Sequence, residues 1–175
     1  MTTFSCIGWW AYTKGMNIFV KPTVAPAAKT TNTIWISLAL AACLIVLAVA
    51  QLYKYEKFPE VITGLGLPGG AVWSPIYAAL IVAGEVLALP FLLRMSLSPA
   101  MRLVSMVAGW LVVAGWLAIT VTTNVAGYTG NSGVLGATLP TVSGWWTVCL
   151  FMVLGVLAGW CAWAMWPCRS FAIKH

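Results

Sequence analysis

Charge is what this chain has least of: 3 acidic and 9 basic residues among 175, or 7% charged against 62% hydrophobic. A soluble domain of this size carries about 25% charged residues, so there is too little polar side chain to cover a soluble globule. That excludes a soluble enzyme, a disordered tail and a nucleic-acid-binding domain. The net charge of +6 comes from bases at segment ends, not from a patch. The acids are Glu56, Glu60 and Glu85, with no aspartate, which removes the serine triad. The lone histidine, His175, is the last residue, so bis-histidine haem ligation and His-rich copper or zinc sites are excluded. No Cys-x-x-Cys occurs among the 5 cysteines, which removes thioredoxin-like and zinc-ribbon spacings.

What is present is a set of long apolar runs. A bilayer core of about 30 Å needs roughly 20 apolar residues per helix. Four stretches qualify, 33–52, 71–95, 103–123 and 144–166, and only the second contains charge, Glu85 inside and Arg94 near its end. Continuous apolarity without dyad alternation points to helices and away from a barrel. The spacing predicts an all-α integral membrane four-helix bundle with an N-terminal interfacial arm, the helices joined by connections of about 18, 7 and 20 residues. Residues 1–32 form the basic aromatic arm and linker, 33–166 the bundle and 167–175 a basic tail.

Basic residues orient the bundle. Lys14, Lys21, Lys29, Arg94, Arg102, Arg169 and Lys174 fall on one side, whereas the other has Lys54 and Lys57 beside Glu56 and Glu60 and an uncharged third connection. The positive-inside rule makes the protein multi-pass with both termini cytoplasmic. Ala48, Val49 and Ala50 resemble a signal-peptidase site, but the long leader ahead of them favours retention of the first span. In the arm, Phe4, Trp9, Trp10, Tyr12 and Phe19 are mixed with Lys14 and Lys21, a composition for the headgroup zone or for a partner subunit. Trp145, Trp146, Trp163 and Trp166 bracket the fourth span as an aromatic belt. The third connection, with Gly127, Gly130, Gly133 and Gly136, reads as a flexible polar turn or short hairpin. The alternative is a lid over a site between helix ends.

Glu85 is the first candidate for chemistry. Nine residues from Arg94, it lies about 13 Å along the helix axis from that base, inside the hydrocarbon zone and in its cytoplasmic half. A carboxyl there costs about 2.5–3.5 kcal/mol on insertion scales, so it must be neutral, paired or facing a wet crevice. Two readings stand: a hydrogen bond to a neighbouring helix, or proton carriage. Cys43, Cys149 and Cys161 read as small apolar residues, and Met95, Met101 and Met106 as packing at the membrane edge. Gly155 and Gly159 form a GxxxG for close helix approach within the bundle or between subunits. Trp110 and Trp116, each following a glycine, serve packing or hold a flat quinone or pigment. No cofactor is evident beyond that quinone or a bound lipid, and no metal site is expected.

Residues 52–60 (LYKYEKFPE), 64–70 (GLGLPGG) and Gly84–Glu85 followed by Leu87, Leu89, Leu92 and Leu93 resemble the DoxX/MauE-like small membrane proteins. The resemblance covers about a quarter of the chain. It implies a four-helix bundle with a cytoplasmic N-terminus, associated with redox enzymes, sulfur metabolism or the maturation of secreted electron-transfer proteins. Among functional residues it carries over Glu85 and Lys54. The arm and the Gly-rich connection depart from that pattern, and the missing cysteine pair argues against thiol–disulfide exchange. The functional expectation is an accessory subunit in the lipid bilayer, packed against other membrane subunits of an electron-transfer or oxidation complex. The alternatives are a quinone-linked oxidoreductase component that uses Glu85 for proton transfer, and a small transporter or channel.

Overall fold

The computed structural model describes residues 30–137 and 139–165. The expectations for the aromatic arm before residue 30, for Trp166 and for the basic tail lie outside the described residues. Within them the chain forms α1 (Thr31–Leu52), a 3-10 turn (Tyr55–Lys57), a short α2 (Phe58–Gly64), α3 (Gly70–Leu92), α4 (Pro99–Val125) and α5 (Trp145–Ala164). Four of these, α1, α3, α4 and α5, are long and apolar enough to cross a membrane, and the protein is a multi-pass membrane protein of the expected helical class.

The long helices pack in chain order around a ring, α1 on α3, α3 on α4, α4 on α5, and α5 closes the ring against α1. Small residues set the close approaches. A Cβ on Gly84 of α3 would overlap the Val112 side chain of α4, and one on Gly109 of α4 would sit 3.2 Å from the Ala88 Cβ. Gly155 faces Val113 and Gly159 faces the Trp110 ring, so the GxxxG motif works inside the bundle, between α4 and α5. The core between the helices holds Leu40, Leu44, Val113, Trp116, Phe151 and Leu154. Apolar side chains also cover the outside, Val72, Leu111, Val156 and Trp163 among them, as contact with lipid requires.

Helix ends follow local chemistry. The α4 helix starts at Pro99, earlier than the apolar run, because Ser98 caps it by accepting from the Met101 N–H at 3.3 Å. At the end of α3, Met95 N–H reaches the Pro90 carbonyl at 3.0 Å and Arg94 N–H the Phe91 carbonyl at 3.1 Å. This is a Schellman closure with Arg94 left-handed at φ 55°. One turn before Arg94, Pro90 interrupts the ladder. The Ser105 hydroxyl of α4 reaches across to the break, donating to the Leu87 carbonyl and accepting from the Phe91 N–H. A polar bridge of this kind keeps helix backbone satisfied where no water is at hand.

The helices are staggered along the bundle axis. Gln51, the last residue but one of α1, meets Glu85, which lies fifteen residues into α3. The end of α1 is therefore well short of the start of α3. Two pieces of non-spanning chain fill the space above it. The α2 helix buries Phe58 and Ile62 there. The connection from α4 to α5 folds back as a short hairpin, with Asn131 bridged to Val142 and the Ser132 N–H donating to the Thr141 carbonyl at 2.7 Å.

Candidate functional site

The site is assembled where four parts of the chain meet: the end of α1, the middle of α3, the outer third of α4 and the hairpin tip. Glu85 is fully buried. Its Oε1 accepts from Gln51 Nε2 of α1 at 3.1 Å and from the Trp116 indole Nε1–H of α4 at 3.2 Å. Gln51, equally buried, also donates to the Val134 carbonyl of the hairpin at 3.2 Å. Behind the carboxyl, the Trp116 ring stacks on Phe151 of α5, centroids 5.6 Å apart and planes 13° from parallel. One glutamate thus ties α3 to α1 and α4, and through its two partners to the hairpin and α5.

The hairpin tip is shaped to its seat. Gly136 has φ +69°, and a Cβ there would lie 2.7 Å from the Ala50 carbonyl oxygen and 2.9 Å from the Gln51 Cα. A residue with a side chain fits neither that backbone nor that space. Gly133, φ +73°, faces Val61 and Leu65 on one side and Trp116 on the other. Val134 and Ser132 are buried. The tip is held from within, since the Asn131 side chain accepts from the Gly133 N–H at 3.0 Å and from the Thr141 N–H at 3.3 Å. The third connection is a short hairpin whose tip packs on Gln51, the partner of Glu85. Irregular backbone is tolerated at this depth because protein surrounds it.

Along α3, Glu85 is seven residues from Leu92. On α4 the same level is the middle of the helix, since Gly84 beside it packs on Val112, and the Trp116 indole reaches the carboxyl from the next turn.

The remaining candidates separate. Trp116 is in the core beside Glu85, whereas Trp110 is 43% exposed with its ring against Gly159. Their separation of six positions turns the two rings to different faces of α4. Lys54 takes a left-handed conformation, φ 59°, just past the end of α1. A cavity of about 20 Å³ lies between Leu44, Phe91, Ser105, Trp110 and Val113, enough for a single water molecule. Cys43 and Cys149 face outward and Cys161 is buried, all three as free thiols. Among the described residues no three His, Cys, Asp or Glu side chains gather as a metal site would require. Gln51 was missed at the sequence level. An amide two residues before a charged turn gives no periodic signal, and only the polarity of its position at the end of an apolar run marks it.

No family model, curated protein or solved structure matches the chain.

Proposed function

We propose that this protein is an accessory subunit that packs within a larger membrane complex, with both termini on the cytoplasmic side. The observation that carries this reading is the way its one intramembrane acid is used. Glu85 is spent on internal hydrogen bonds to Gln51 and Trp116 and is covered by the hairpin. An acid that lines a substrate path meets water or substrate; this one fastens helices to each other. A polar tie in an apolar bundle defines one arrangement of the helices, which suits a part that others assemble on. The outer surface supports the same reading, with Trp35, Trp73, Trp145 and Trp163 more than half exposed and available to lipid or to neighbouring subunits. The resemblance of residues 52–93 to DoxX/MauE-like proteins directs the search for that complex toward oxidation and electron transfer.

Native mass spectrometry after extraction in a mild detergent tests the proposal. The expected species contains the 18.7 kDa chain at fixed stoichiometry with other membrane subunits. Recovery only as a free chain or a homo-oligomer contradicts it.

A further inference from the structure

The donors and acceptors around Glu85 do not balance. Gln51 Nε2 and the Trp116 indole both donate to Glu85 Oε1, and Gln51 Nε2 also serves the Val134 carbonyl. Glu85 Oε2 and Gln51 Oε1 are both enclosed, and neither has a hydrogen-bond partner. With the carboxyl ionised, both atoms are acceptors and neither can help the other. Buried polar atoms left in this state are rare and call for an explanation. They belong to two planar groups already joined through Nε2 and Oε1, and a single hydrogen on Oε2 would turn that oxygen into a donor.

We propose that the Glu85–Gln51 pair is a binding site for one proton, carried on Glu85 Oε2 and donated to Gln51 Oε1, which closes an acid–amide ring beneath the hairpin. The proton comes from water and returns to water, and no other bond is made or broken. The side chains that face the carboxyl from the packed elements are Gln51 on α1 and Trp116 on α4, with the Val134 carbonyl joined through Gln51. None of these groups is charged. The ring also links the proton to the hairpin. When Oε2 loses its hydrogen, it needs a donor, and the Gln51 amide that holds the Val134 carbonyl can turn to it. Release of the proton therefore loosens the hairpin tip. This inference stands apart from the accessory role, since a proton site of this kind serves a lone chain as well as a subunit.

Infrared spectroscopy of the full chain in an ester-free detergent tests it, helped by the presence of only 3 acidic residues. The expected spectrum at neutral pH has one protonated-carboxyl C=O band that moves down in D2O and is missing in Glu85→Gln. That variant keeps a donor opposite Gln51 Oε1, so its circular dichroism should match the parent. Gln51→Met removes the acceptor and should move the band upward. If Gln51→Met does not fold, Gln51→Asn, one methylene shorter, should displace the band instead. A parent protein with no acid band, a band that survives in Glu85→Gln, or a band unmoved in the folded Gln51 variant overturns the proposal.

Discussion

At the scale of single residues, the account turns on how a carboxyl is held in an apolar interior. Two N–H donors converge on one oxygen of Glu85, one from an amide at a helix end and one from an indole locked in place by its stack on Phe151. Replacing Trp116 by Phe keeps the ring stack and removes the donor. Hydrogen bonds between membrane helices average about 0.6 kcal/mol and reach about 1.7 kcal/mol, and this one ends on a buried carboxyl. Trp116→Phe should therefore destabilise the bundle by about 1 kcal/mol, read as a shift in unfolding in mixed micelles. A change near zero would mean that the indole bond contributes nothing. Glu85 was legible in the sequence because a lone acid in an apolar run must be neutral, paired or wet. Gln51 and Val134 were not, because glutamine at a span boundary is common and a carbonyl has no sequence signature at all.

At the scale of elements, the presence of four long apolar helices was legible, since length and apolarity decide them without reference to packing. What could not be read was the stagger. It depends on α1 stopping at Leu52 while α3 starts only at Gly70, and on α2 and the hairpin filling the space between. The glycines of the third connection gave half the message. They promised a turn, but burial of the tip comes from the match between Gly133, Gly136 and the surfaces of α2 and α1. Two substitutions separate seat from turn. Gly127 has φ +70° with open space around its Cβ position, while Gly136 has φ +69° and the α1 backbone within 3 Å of it. Gly127→Ala should cost only the left-handed backbone strain, about 1–2 kcal/mol. Gly136→Ala should cost that and the clash, so its unfolding midpoint should drop distinctly further. Equal losses would show that the tip does not rest on α1. Ser105 presents the same limit, since nothing in an apolar run announces that one hydroxyl bridges the break at Pro90 in the neighbouring helix.

At the scale of the whole molecule, the bundle is closed at one end by its own connections. The helices, the short α2 and the hairpin enclose the Glu85 site from the side opposite the Arg94 turn, and in the proposed orientation, with both termini cytoplasmic, that side is the outer one. Cysteine scanning with a membrane-impermeant thiol reagent, on intact cells and with the native cysteines replaced, examines closure and orientation together. Val134 is 1% exposed and Leu139, five residues on in the same hairpin, is 56% exposed. The account predicts that Leu139→Cys reacts from outside the cell while Val134→Cys stays unlabelled until the protein is unfolded. Labelling of Val134→Cys in the folded protein, or of Leu139→Cys only after the cytoplasmic face is opened, would contradict it.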